Sequence, residues 1–205
     1  MLKDLGLQAF INQLESSEPV PGGGSVAALS SALASALSGM VANLTVGKKN
    51  YEEVSDQMTA VAAKMADHKQ TFVDLIDKDA NSFDSVMKAY KLPKETDEEK
   101  ANRSQSIQDG MKYAASVPLE VAEKTAVLFD DIAFLVKSGN ANAQTDALVA
   151  AMMARTAILS ALYNVKINLG SIKDEAYVDA MKIRVKALEK MAIQREAEIL
   201  KMSDL

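Results

Sequence analysis

Apolar residues recur every three or four positions between residues 54 and 90: Val54, Met58, Val61, Met65, Phe72, Leu75, Phe83, Val86 and Tyr90. That spacing holds them on one face of a helix turning about 100° per residue. The same period runs through most of the chain, and no alternating β-branched stretch competes with it. It predicts helices over about 2–14, 25–47, 52–90, 97–115, 118–139, 145–169 and 173–203. The punctuation agrees. "SSEPVPGG" breaks the chain after the first helix, Pro93 and the acidic "KETDEEKANRS" follow the third, and Pro118 opens the fifth. Gly139 and Gly170 close the fifth and sixth. Connections are mostly short and no repeat has a solenoid period. The expected fold class is all-α, an antiparallel up-and-down bundle of about seven helices forming a single domain over residues 1–205.

The second helix departs from the amphipathic pattern. Residues 22–47 carry no charge, a run long enough to cross a bilayer at roughly 20 residues. Its content argues otherwise, because Ser25, Ser30, Ser31, Ser35, Ser38, Asn43 and Thr45 are interspersed with Ala and no Trp or Tyr belt flanks it. A helix apolar nearly all round equally suits the centre of a bundle. Small residues at Ala28, Ala32, Ser35, Ala36, Gly39 and Ala42 permit close backbone approach, within the chain or across a dimer seam. The run therefore reads as a buried central helix, with no membrane span.

Polar residues on apolar faces supply the candidate chemistry. Asp79 lies four residues after Leu75 and four before Phe83, and His68 lies three after Met65 and four before Phe72. Asp74, Asp77 and Asp84 project away from that stripe, as solvated acids do. A carboxylate on a core-facing stripe is costly unless bonded or paired, and desolvation raises its pKa towards the range useful for proton transfer. Asp79 is thus either a buried structural acid or a functional carboxylate. His68 reads as a core histidine or a partner-surface residue. On the sixth helix Asp146, Ala150, Met153, Ala157, Ala161, Asn164 and Asn168 share one face, polar at each end and small between, which suggests a groove. Its asparagines offer donors and acceptors for an amide-rich heterocycle, or for neighbouring helices.

The "PGGGS" turn (Gly22, Gly23, Gly24, Ser25) allows close approach of backbone N–H groups to a ligand, or simply a tight turn. It lacks the Gly-Lys-Ser/Thr of a P-loop and the preceding strand of a dinucleotide fold. Lys48 and Lys49 complement the C-terminal dipole of the second helix, or meet an anionic substrate tail.

Composition narrows the partners. A net charge of -5 argues against nucleic acid, whose backbone needs clustered Lys and Arg. No Cys and a single His exclude soft-ligand metal sites and disulfide frameworks. Met1 leads into the amphipathic "LKDLGLQAFINQLE" rather than a charged and then apolar leader, so the expectation is no signal peptide and a cytoplasmic protein.

Several segments in order, "PVPGGGSVAAL", "MVANLTVGKKNY", "IDKDANSFDSVMKAYKLPK", "SVPLEVAE", "GNANAQTDALVAA" and "NVKINL", resemble the formiminotetrahydrofolate cyclodeaminase / methenyltetrahydrofolate cyclohydrolase family. The likeness covers essentially the whole chain and is closest to the free-standing bacterial members. One departure is Thr145, where the family pattern has Ser; the hydroxyl is kept. The resemblance implies an all-helical homodimer acting on a folate substrate, without metal or cofactor, alongside a separate formiminotransferase or another one-carbon enzyme. It implies conversion of 5-formimidoyltetrahydrofolate to 5,10-methenyltetrahydrofolate and ammonia, hydrolysis of the methenyl compound to 10-formyltetrahydrofolate, or both. The second Asp of "DxDAxxF", Asp79, would be the catalytic acid. Gly22, Gly23, Gly24, Ser25, Asn142, Asp146, Asn164 and Asn168 would line the folate cleft. A non-catalytic folate-binding or dimeric scaffold module is the competing expectation.

Overall fold

The structure is a computed structural model that describes residues 1–204. Among the described residues the chain forms seven α-helices: α1 (Leu7–Glu15), α2 (Gly23–Asn43), α3 (Ser55–Tyr90), α4 (Asp97–Ala126), α5 (Leu128–Ser138), α6 (Gln144–Leu169) and α7 (Glu175–Leu200). Short 3₁₀ turns precede α1, α3 and α6. The all-α bundle of about seven helices expected from the periodicity is what forms.

α2 lies at the centre, packed chiefly on α3 and α6, while α4 packs against α3 and α6 and α7 lies against α6. Small residues explain the tight seams. Ala28, Ala34 and Ala42 of α2, and Ala150, Ala154, Ala157 and Ala161 of α6, are completely buried. The predicted groove along α6 is therefore absent: its small residues form a close helix–helix seam, because alanines let neighbouring backbones approach. Three of the α2 hydroxyls are accommodated locally, whereas Ser35 Oγ is buried without a partner. Ser30, Ser31 and Ser38 each donate to the carbonyl four residues earlier, and Ser31 also meets Thr125 of α4 at 2.6 Å. α2 and the α6 segment are long and apolar enough to cross a membrane, with mean hydropathy 1.6 and 1.5. However, 61% and 50% of those windows are buried inside the fold, as a bundle core requires.

Three helix boundaries differ from the sequence expectation, each for a tertiary reason. Residues 2–4 form a separate 3₁₀ turn strapped to α3, where Asp77 accepts the Leu2 N–H at 2.6 Å. Asp77, expected to be a solvated acid, is thus a docking point, and its Oδ2 is buried without a partner. α2 ends at Asn43 rather than Gly47 because buried Asn140 takes over its terminal groups. The Asn140 side chain donates to the Leu44 carbonyl, and its N–H donates to Thr45 Oγ1, both at 2.9 Å.

The third difference concerns Pro118, expected to start a helix but lying inside the continuous α4. An interior proline leaves the carbonyl four residues earlier without its donor and ordinarily costs about 3 kcal/mol. Here that carbonyl belongs to Ala114, and Asn168 Nδ2 donates to it at 2.9 Å. A side chain from α6 therefore replaces the missing backbone donor. Asn168→Ala is expected to cost about 1–3 kcal/mol through the orphaned carbonyl. In a Pro118→Ala background, where residue 118 regains its N–H, the same change should cost distinctly less. Denaturant titration of the four proteins measures this coupling.

Candidate functional site

The N-terminus of α2 has no side-chain cap of its own, because its N-cap is Gly22. Asp79, from the middle of α3, supplies the acceptor instead. The Ser25 hydroxyl lies 3.1 Å from Asp79 Oδ2 and 3.3 Å from the Ile76 carbonyl, with one proton to share between them, and the Ser25 N–H also donates to the carboxylate. A carboxylate at a helix N-terminus meets unsatisfied N–H groups and a favourable dipole.

This approach explains the glycines. A Cβ built on Gly24 would lie 2.5 Å from the Asp79 carboxyl carbon and 2.6 Å from Oδ2, below the 3.0 Å that real Cβ atoms keep. A Cβ on Gly23 would meet Asn164 Nδ2 at 3.1 Å. Neither residue has positive φ, and both sit in the first turn of α2. The motif expected as a ligand-facing or tight turn is thus a helix start stripped of side chains, so that a carboxylate and an amide can press against it.

Asp79 is half-buried, and burial pushes its carboxyl above the ordinary range. The Ser25 hydroxyl and N–H act the other way, favouring the ionised form, but burial is the larger effect. The carboxyl faces a cleft of about 310 Å³ lined by Pro19, Val20, Gly22, Gly23, Gly24, Ser82, Phe83, Ala114, Asn164, Ile167 and Asn168.

Two side-chain amides complete the polar part of the cleft. Asn164 Nδ2 donates to Ser160 O, and Asn168 Nδ2 donates to Ala114 O and Asn164 O, all at 2.9 Å. Both N–H groups of Asn168 and one of Asn164 are committed to the protein, which leaves the two carbonyl oxygens as acceptors for a ligand's N–H groups and one Asn164 N–H as a donor. Phe83, expected as a core residue, is instead 37% exposed as an apolar wall of the cleft.

The fold therefore brings together Asp79, Gly22, Gly23, Gly24, Asn164 and Asn168, with Ser25 buried directly behind the carboxylate. It does not bring Asn142, Asp146, Lys48 or Lys49 to this cleft. α2 and α6 run antiparallel: Gly23 meets Asn164 at one end, and Leu44 meets Asn140 at the other. Asn142 and Asp146 stand at the start of α6, and Lys48 and Lys49 lie beyond the end of α2, roughly 30 Å from Asp79 at 1.5 Å per residue. Helical phase alone had placed Asp146 and Asn164 on one face, but phase carries no information about distance along the axis.

Ser82, Phe83, Ala114 and Ile167 were not singled out from sequence as site residues. Phe83 has a signal, lying one turn beyond Asp79, and Ile167 precedes Asn168. Ala114 has none without the Pro118 contact. His68 lies away from the cleft, with its ring 6.1 Å from Phe72, and burial pushes its imidazole pKa down.

Comparison with known proteins agrees with this architecture. Residues 6–187 match the family described as Formiminotransferase-cyclodeaminase. The chain is 40% identical over 183 residues to a methenyltetrahydrofolate cyclohydrolase of Methylorubrum extorquens, covering 89% of this chain and 86% of that protein. It is 34% identical over 194 residues to the formimidoyltransferase-cyclodeaminase of Sus scrofa, covering 95% of this chain but 36% of that longer protein. The crystal structure of formiminotetrahydrofolate cyclodeaminase from Thermotoga maritima superposes with a TM-score of 0.87 at 33% identity, over 98% of this chain and 97% of that one. On the match over residues 6–187 and these full-length likenesses, the chain belongs to the formiminotransferase-cyclodeaminase family.

Proposed function

We propose that the protein converts one-carbon derivatives of tetrahydrofolate at the Asp79 cleft, forming or hydrolysing 5,10-methenyltetrahydrofolate. The observation that carries this reading is the half-buried carboxyl at the cleft floor, raised in pKa by burial and pressed against the side-chain-free Gly24 of α2. Burial favours the protonated form while the Ser25 hydroxyl and N–H favour the anion, and a single acid/base catalyst must hold both forms.

In the cyclodeaminase direction, N10 attacks the formimino carbon held on N5, and the C–N bond to the formimino nitrogen breaks as ammonia leaves. Asp79 takes the N10 proton and passes it to the departing nitrogen. In the cyclohydrolase direction, water attacks the methenyl carbon and loses a proton to Asp79. The N5–C bond then opens, N5 takes that proton, and the remaining hydroxyl proton is released as the formyl carbonyl forms. Only protons and a nucleophile change hands, so neither reaction calls for a metal or redox cofactor. The amide oxygens of Asn164 and Asn168 accept from the pterin's N–H groups, and Phe83 and Ile167 flank its ring. Holding N10 and the one-carbon centre in near-attack geometry supplies much of the remaining acceleration.

The 40% identity to a cyclohydrolase of similar length favours hydrolysis as the main turnover. A separate formiminotransferase, or another one-carbon enzyme, is the functional partner this reading requires. Methenyltetrahydrofolate has a near-ultraviolet chromophore, and its accelerated decay on adding the protein is the expected result. A rising signal from 5-formimidoyltetrahydrofolate instead identifies the deaminase direction. No absorbance change with either substrate, together with saturable binding, makes the protein a folate-binding module and overturns the proposal.

A further inference from the structure

Ser25, expected to line the ligand cleft, is completely buried and stands outside the cleft wall. It touches Asp79 instead, through two donors of different freedom. The Ser25 N–H belongs to the first turn of α2 and points where the backbone fixes it. The hydroxyl turns about a single bond, and it can donate one hydrogen bond while accepting another.

The hydroxyl oxygen lies 3.1 Å from Asp79 Oδ2 and 3.3 Å from the Ile76 carbonyl oxygen. Neither separation is short beside the usual O–H···O distance of about 2.7–2.8 Å, so the hydroxyl is committed to neither acceptor. The Ile76 carbonyl sits inside α3, where the helical N–H of Ala80 already bonds it. It has a second lone pair to offer and is not orphaned when the hydroxyl turns away.

Each protonation state of Asp79 therefore has a complete arrangement. When the carboxylate is ionised, the hydroxyl donates to Oδ2. When Oδ2 carries a proton, that O–H donates to Ser25 Oγ, and the hydroxyl turns to donate to the Ile76 carbonyl. No buried polar group is stranded in either state. The carboxyl is pressed against Gly24 and has no room to swing on that side, so the hydroxyl is the part that turns.

No other charge competes for this role. Among the described residues the cleft wall contributed by α2, α4, α6 and the loop before α2 is uncharged. The neighbours on α3 are engaged elsewhere, Asp77 by the Leu2 N–H and Lys78 by Glu120.

We propose that Ser25 is a positioning residue for proton transfer at Asp79: its hydroxyl switches between the Asp79 carboxylate and the Ile76 carbonyl as the carboxyl loses and gains its proton, keeping the acceptor in one place. Its part in turnover rests on the folate reading above, but the switch itself does not.

Carbon-13 NMR of the labelled wild-type protein reads the switch without substrate. The Ile76 carbonyl gains a hydrogen bond when Asp79 is protonated, so its shift should titrate with the same midpoint as the Asp79 carboxyl carbon. In Ser25→Ala the Ile76 response should collapse. The Asp79 midpoint should rise there by about one pH unit, because a hydrogen bond to a charged group is roughly twice as strong as one to a neutral group. A flat Ile76 carbonyl in the wild type overturns the switch, whatever the stability of the variant. So does an Ile76 response that persists in Ser25→Ala, or an Asp79 midpoint that stays or falls.

Turnover separates positioning from a structural role. Both folate reactions begin with Asp79 taking a proton, so the acid limb of the kcat/KM profile should move up by the same unit in Ser25→Ala. That is about a tenfold loss below the limb, with activity near wild type above it. An equal loss at every pH overturns the positioning role. If the wild-type protein turns over neither folate, the folate reading fails, and the NMR titration still decides the switch.

Discussion

Asp79→Asn is expected to reduce turnover by about 10²- to 10⁴-fold, the range a positioned general acid/base supplies, while folate binding and the helical fold persist. Asparagine keeps the shape and can still accept from Ser25, so the α2 N-terminus remains capped. The stability consequence separates this from a structural role. Burial raises the Asp79 pKa above its unfolded value, so the folded state binds the proton more tightly. Stability contributed by the protonated form is therefore lost as pH rises from the unfolded carboxyl value through the raised folded one. Asp79→Asn removes that loss, so the variant should match the wild type at acid pH and equal or exceed it at neutral pH. Thermal melts across pH measure this. Full activity of Asp79→Asn, or a neutral-pH melting point well below wild type, refutes the catalytic role.

Gly24→Ala should give the second large effect, against the usual expectation for a helix. Exchanging glycine for alanine within a helix normally stabilises by about 1 kcal/mol. Here the new methyl occupies the space of the Asp79 carboxyl, and either the carboxyl or the start of α2 must move. Overpacking of this kind costs about 1–3 kcal/mol. Displacing a catalytic group by about 1 Å lowers kcat on the order of 100-fold. The expected outcome is a lower melting point with a loss of turnover that exceeds what the unfolded fraction explains. A variant that is more stable and fully active contradicts the close approach of α2 to Asp79.

Both predictions depend on one contact between segments 54 residues apart in the chain, and sequence and structure reach it by different routes. Helical phase identified Asp79 as the acid facing inward while Asp74 and Asp84 face water, because a period of 3.6 fixes which side a residue occupies. The same logic misjudged Asp77, since phase cannot foresee that residues 2–4 return to cover it. It also placed Asp146 with Asn164 and Asn168, although a helix of this length separates them. For the glycine motif, composition indicated close backbone approach. What approaches is Asp79 of the same protein, and no positive φ is involved.

By itself the sequence determined the all-α class, the helix count, the central position of the uncharged helix and the inward direction of Asp79. These depend on local periodicity and on the cost of burying charge, both of which a linear chain records. Tertiary structure alone decided that Pro118 lies within a helix, that Asn140 ends α2, and that Lys48, Lys49, Asn142 and Asp146 stand away from Asp79 in one chain. Each of these turns on a donor, an acceptor or a distance supplied by a remote segment, and such pairings exist only once the helices have packed.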